Sequence, residues 1–168
     1  SFNDPRRFGF IDLVETKNLE KKKYIYNLGI DALSRKLNSK LFYDKISNSS
    51  VPIKQILLNQ NIIAGIGNIY ASEILYDARI SPLTIGKKLN ISHIMKLILS
   101  IRKILRKAIR SGGSSIRDYR SADGTLGNFQ SNFKVYNKEG HKIGNDNVVK
   151  ILQYGRSTFF SPKIQNNK

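Results

Sequence analysis

Apolar and polar positions change rhythm along this chain, and each change marks an expected element. Phe8 to Val14 (FGFIDLV) shows the short alternation of a strand and follows the turn-like Asn3-Asp4-Pro5. From the basic triplet Lys21-Lys22-Lys23 to Asn38 little periodicity remains, so this stretch reads as a linker with a solvated lysine cluster. A helical rhythm then runs to Arg110. Ser39 to Ile46 forms a short helix on Leu41, Phe42 and Ile46, with Ser39 as its cap. Pro52 suits the first turn of the next, which runs through Ile53, Ile56 and Leu57. Gly65-Ile66-Gly67 breaks that helix, Asn68 opens a third through Tyr70, Ile74 and Leu75, and Ser81-Pro82 stops it. The clearest helix is Ile91 to Arg110, where Ile94, Leu97, Ile98, Ile101, Ile104, Leu105 and Ala108 keep helical spacing. After Ser111-Gly112-Gly113 and a Gly-rich loop reaching Gly127, the rhythm turns to β. Strands are expected at Phe133–Tyr136, Val148–Tyr154 and Ser157–Phe160, with Gly155-Arg156 as a type II′ turn that puts Arg156 at a protruding tip.

Composition narrows what such a fold could do. The 168 residues suffice for one domain or two small ones, and 40% hydrophobic content supports a real core. Twenty-nine Lys and Arg against 12 Asp and Glu leave a net charge of +17. That surplus repels itself in a compact chain and calls for a polyanion, nucleic acid ahead of an anionic membrane. No apolar run approaches the ~18 residues of a spanning helix, and the polar, basic opening carries no secretory signal, so a cytoplasmic location is expected. With no cysteine, disulfides, thiol catalysis and Cys-ligated zinc are excluded. His93 and His141 alone are too few for a zinc site and are expected to face solvent; no cofactor is expected.

Gly65-Ile66-Gly67-Asn68-Ile69-Tyr70 is a tight turn opening directly onto a helix. Free amides at a helix start favour a phosphate oxygen, and the two glycines let a backbone come close. Taken alone, the pattern is more economically a structural helix start. The cations Arg102, Lys103, Arg106, Lys107 and Arg110 opposite the apolar stripe are equally open between phosphate contact and simple solvation.

The wider context is more specific. DPRRFG, IIAGIGNIYASEILYDARISPL, SGGSSIRDYRSADGTLGNFQ, FKVYNKEG and YGRSTFFSPKIQ occur in this order over nearly the whole chain. This series resembles the formamidopyrimidine-DNA glycosylase family. The resemblance implies an α+β chain: a remnant of an N-terminal β-sandwich with its linker at 1–25, a helix-two-turn-helix domain at 26–127, and a β-hairpin finger at 128–168. It implies base-excision repair, in which a damaged purine such as 8-oxoguanine is flipped out, excised, and the abasic strand nicked. By the same resemblance, Gly67 and Asn68 correspond to the phosphate contact and Arg156 to the hairpin arginine. Arg6 and Phe8 correspond to the pair that fills the space left by the flipped base, which would offset part of the unstacking cost. Ser114 to Gly127, including Ser115, Arg117, Asp118 and Tyr119, correspond to the loop that closes over that base, and Glu73 to a glutamate of the helix after the turn. Without the resemblance, Arg6, Phe8 and Arg156 read as an exposed basic turn, a strand residue facing the core, and a solvated tip.

Two departures qualify the expectation. The family's nucleophile is an N-terminal proline amine, and its catalytic lysine lies upstream; Ser1 does not correspond to that proline, so no catalytic residue is assigned here. The family's four zinc-binding cysteines fall on Ile143, Asp146, Ser161 and Ile164, of which only Asp146 is an ordinary metal ligand. The finger is therefore expected to fold without metal on Ile143, Val149, Ile151, Phe159 and Ile164. The expected partner is double-stranded DNA with damaged or abasic sites, bound by a monomer, with a separate N-terminal fragment as a further partner. Three readings stand side by side: a DNA-gripping module without catalysis, one piece of a complete glycosylase/AP lyase, and a decaying remnant.

Overall fold

The computed structural model describes Asp4, residues 8–114 and residues 127–166. Arg6 and the loop residues Ser115, Arg117, Asp118 and Tyr119 lie outside these. The architecture is α+β: a helical body followed by a smaller β unit docked on one of its helices.

The body begins irregularly. Phe8 to Leu13 is exposed, and residues 8–14 form no strand, contrary to the alternation, because no other segment among the described residues supplies a hydrogen-bonding ladder for them. The expected linker carries more structure than its polarity suggested. A 3-10 turn at Thr16–Lys21 leads into a one-turn helix, α1 (Lys23–Tyr26). A two-residue strand, β1 (Ile30–Asp31), then pairs in parallel with β2 (Ile63–Ala64).

Four helices make the core: α2 (Ser39–Ile46), α3 (Ile53–Leu58), α4 (Asn68–Asp77) and α5 (Ile91–Arg110). The side chain that caps α2 belongs to Asn38, whose Oδ1 accepts from Leu41 N at 2.9 Å, not to Ser39. Pro52 stands at the N-cap of α3, one place before the expected first turn. The longest helix, α5, has the expected bounds and is closed by a reciprocal cap: Asn90 Oδ1 accepts from His93 N, and His93 Nδ1 accepts from Asn90 N. His93 is thus half-buried with a structural role, while His141 is exposed. Ile94, Leu97, Ile101 and Leu105 of α5 meet Ile74 and Leu75 of α4 and Phe42 and Ile46 of α2 in one close-packed core. Burying each of these side chains stabilises the fold by roughly 1.5–3 kcal/mol. The outward cations of α5 are partly engaged: Arg102 donates to Leu37 O and Lys103 pairs with Asp77.

The β unit consists of two small hairpins, β3 (Lys142–Ile143) with β4 (Asp146–Asn147), and β5 (Val149–Gln153) with β6 (Arg156–Phe160). Two corrections to the sequence expectation arise here. The turn between β5 and β6 is Tyr154-Gly155, with φ of 50° and 73°, the signature of type I′ and not II′. Arg156 consequently opens β6, paired with Gln153, immediately beyond the tip. Residues 133–136 form no strand. The last three amides turn instead to the buried Glu73 of α4, whose carboxylate accepts from Lys134 N (2.8 Å), Val135 N (2.9 Å) and Tyr136 N (2.8 Å). A carboxylate accepting several backbone N–H groups replaces a sheet ladder.

Packing between body and β unit is largely aromatic. Tyr70, Phe129, Phe133, Tyr136 and Phe159 follow one another with ring centroids 5.1–5.8 Å apart, three of the four contacts being edge-on. Of the apolar residues expected to hold the finger, Ile143 and Phe159 join a cluster with Val135 and Val148, whereas Val149, Ile151 and Ile164 remain half-buried.

Candidate functional site

The turn before α4 and the start of β6 are far apart in sequence and adjacent in space. Gly65 (φ 96°) supplies the left-handed residue the turn requires, and Gly67 is the N-cap of α4. No side chain caps this helix, so the N–H groups of Asn68, Ile69 and Tyr70 are left facing outward from the positive end of the helix dipole. A Cβ added at Gly67 meets nothing within 4 Å. The fold itself therefore does not demand glycine there.

Asn68 leads to the other half of the site. Its Nδ2 donates to Ser157 O at 3.0 Å, while its Oδ1 is buried without a hydrogen-bond partner. The same Ser157 carbonyl accepts from Lys54 Nζ at 3.2 Å, and Lys54 also donates to Thr158 Oγ1 at 2.6 Å. Thr158 Oγ1 donates to Gln153 Oε1 at 3.2 Å, and Gln153 Nε2 donates to Pro82 O at 3.2 Å. This relay holds β5 and β6 on the helical body beside the α4 N-terminus. Arg156, exposed at the start of β6, projects next to it.

Lys54 is the most perturbed group of the site. Burial, with the like charge of Arg156 acting in the same direction, lowers its pKa from 10.5 to about 8. Its hydrogen-bond partners are neutral oxygens, so the amine is a buried cation balanced by dipoles alone. Sequence reasoning missed Lys54, Ser157 and Thr158. One sign was available: within Ile53-Lys54-Gln55-Ile56-Leu57, helical spacing puts Lys54 on the flank of the apolar stripe, where a cation needs a specific partner.

The other expected site residues are more scattered. Phe8 is 87% exposed and touches neither half of this arrangement. The base of the expected closing loop is pinned where the description resumes: Ser114 bridges to Asn128, and Tyr70 OH lies 3.0 Å from Ser114 Oγ.

Residues 28–120, more than half of the chain, match the formamidopyrimidine-DNA glycosylase H2TH domain. The chain belongs to this family. Among its relatives is the formamidopyrimidine-DNA glycosylase of Zymomonas mobilis, 44% identical over 98% of this chain and 62% of that protein. The glycosylase of Roseobacter denitrificans is 38% identical over 98% and 60% respectively. Solved structures agree. The MutM (Fpg) protein from Thermus thermophilus superposes with a TM-score of 0.90 at 34% identity, covering 98% of this chain and 64% of that one. A Lactococcus lactis Fpg in complex with DNA containing an abasic site gives 0.83 at 38% identity, covering 92% and 57%. The chain thus spans about three-fifths of the length of the curated relatives it matches.

The family's zinc does not fit the residues present. Ile143 offers no donor and packs against the Val135, Val148 and Phe159 cluster, and Ile164 offers none either. Asp146 already accepts from the Ser161 hydroxyl and from Lys163 N, and tetrahedral zinc needs four nitrogen, sulfur or oxygen ligands. Among the described residues no three His, Cys, Asp or Glu side chains come together. Likewise, no helix among them is long and apolar enough to cross a membrane.

Proposed function

We propose that this chain grips duplex DNA at damaged or abasic sites, as the C-terminal part of a formamidopyrimidine-type glycosylase/AP lyase of base-excision repair. The observation that carries this is the convergence of Asn68, Lys54 and Ser157 beside the uncapped N-terminus of α4, with Arg156 alongside. A phosphate oxygen set against the α4 amides would meet the helix dipole, the Arg156 guanidinium and the Lys54 charge together. Ser157 O accepts from two donors, so Asn68 can turn its amide N–H to a phosphate while Lys54 keeps that carbonyl satisfied. Gly67 leaves room for the sugar-phosphate chain to approach. Arg6 and Phe8 would fill the gap left by an extruded base, and Ser115, Arg117, Asp118 and Tyr119 would close over it.

In this proposal the residues of this chain bind DNA, and no step of excision is assigned to them. One observation favours a second reading, in which the chain works as part of a complete enzyme acting on oxidised purines. Phe8, Phe10, Ile11, Leu13 and Tyr26 are all more than 60% exposed, an apolar surface of the kind that further protein covers.

The test is binding to a duplex carrying a tetrahydrofuran abasic-site analogue, followed by fluorescence anisotropy across a salt series. Affinity is expected to fall steeply with salt as counterions are released. Arg156→Ala is expected to flatten the slope by about one phosphate contact. Gly67→Ala should weaken binding several-fold while changing stability by under about 0.5 kcal/mol. Affinity indifferent to salt would sink the proposal.

A further inference from the structure

The finger's two hairpins contain few buried apolar residues, and Ile143, Asp146, Ser161 and Ile164 do not fit the zinc that the resemblance implies, yet β6 must be held at both ends to keep Arg156 in place. One end is accounted for by Lys54 and Asn68 on Ser157 and Thr158. At the other end β6 runs directly into Ser161, which is fully buried. The Ser161 hydroxyl donates to Asp146 Oδ2, which also accepts from Lys163 N at 2.7 Å. Lys163 Nζ returns to Asn145 O at 3.2 Å. Asp146 Oδ1 accepts from Asn147 N at 2.9 Å, so both carboxylate oxygens are engaged. Ser161 N donates to Gln165 Oε1 at 2.8 Å, and the buried Gln165 passes the connection on through Nε2 to Ile80 O at 2.9 Å, just beyond α4.

These contacts join the β3–β4 hairpin, the end of β6 and the helical body. They are centred on positions 146 and 161, two of the four at which the resemblance places metal ligands. The remaining two, Ile143 and Ile164, are apolar and half-buried. The carboxylate gathers O–H and N–H donors from segments 15 and 17 residues away, which is the topological task of a cross-linking ion.

We propose that an Asp146-centred carboxylate clasp takes the place of the zinc ion in this chain, with Asp146 as a positioning residue that fixes β6, and through it Arg156, without metal. The DNA consequence rests on the function proposed above; the clasp itself does not. Burial pushes the Asp146 carboxyl up, and the bonds from Ser161, Lys163 and Asn147 more than offset it, leaving it below the usual carboxylate range. The ionised form that can act only as an acceptor is therefore the one favoured in the fold.

The experiment uses the whole chain in three measurements. Elemental analysis should find no stoichiometric zinc, and 1,10-phenanthroline should change neither the thermal midpoint nor duplex affinity. Stoichiometric metal, or loosening by the chelator, would overturn the proposal. Hydrogen exchange should show the amides of Ser157 to Ser161 opening about tenfold more readily in Asp146→Ala and in the isosteric Asp146→Asn, with α5 unchanged. Unchanged exchange in both variants would overturn it. Duplex affinity should fall about tenfold in Asp146→Ala, with no further loss when Asp146→Ala is added to Arg156→Ala. Additive losses would mean that Asp146 does not act through Arg156. Should the wild-type chain not bind duplex DNA at all, the metal and exchange measurements would still decide the clasp.

Discussion

The helical body and the finger are held together by opposite means. Around α5 the core is almost entirely aliphatic: Ile74, Leu75, Ile94, Leu97 and Ile101 are each 0% exposed, and such contacts are non-directional. The finger shares an aromatic seam with the body, and its orientation there is set by a short set of buried polar groups that reach across the junction, namely Glu73, Lys54, Thr158, Gln153 and Gln165. Directional bonds fix a small β unit in one orientation where its own apolar area cannot. They are also less forgiving, because removing one partner strands the other in a place water does not reach. Apolar packing gives the body its stability, and polar pairing gives the finger its position.

That contrast can be broken from either side. The largest effect is expected from Leu97→Ala. It should cost about 2–5 kcal/mol and lower the denaturation midpoint of the whole chain, because it empties the common core. A loss confined to the finger would contradict the division. Next comes Glu73→Gln, which replaces a carboxylate serving three amides with a group that presents an N–H to some of them. About 2–3 kcal/mol is expected, read by hydrogen exchange as opening of residues 133–136 and the finger while α5 stays protected. Uniform loss of protection would mean that the two units unfold as one.

The smallest effect on stability, and the sharpest on pH dependence, is expected from Lys54→Met. The folded chain holds Lys54 at a pKa of about 8, against 10.5 in the unfolded chain. Between those values the unfolded state binds more protons, so wild-type stability should gain a rising component with pH there, and Lys54→Met should lack it. DNA affinity should move the opposite way, declining in the wild type above pH 8 as the cation is lost. Parallel pH profiles for the two proteins in chemical denaturation would remove Lys54 from the account.

Much of the helical body was legible because its pattern is strong. The apolar stripe from Ile94 to Ala108 fixed α5 at Ile91–Arg110, and the Gly65–Gly67 break placed the start of α4 at Asn68. The errors cluster where a side chain takes over a backbone partner or where a ladder is missing. Residues 133–136 have strand-like composition, but the amides of Lys134, Val135 and Tyr136 belong to Glu73. Phe8 to Val14 alternates like a strand, but no other strand among the described residues pairs with it. The hairpin turn was misplaced by one residue because Gly-X and X-Gly pairs are both good turns. Only the register that pairs Gln153 with Arg156 chooses between them.

By itself, then, the sequence determined the four core helices, the basic character, the family through its ordered motifs, and the lack of donors for a zinc ion. Only the tertiary structure decided that Lys54 meets Thr158 and that Asn68 meets Ser157, at separations of 104 and 89 residues. It also decided that Asp146 closes on Ser161. The physical reason is that hydrophobic periodicity reports which face of an element is buried. It carries no information about which polar atom on that face will find which partner.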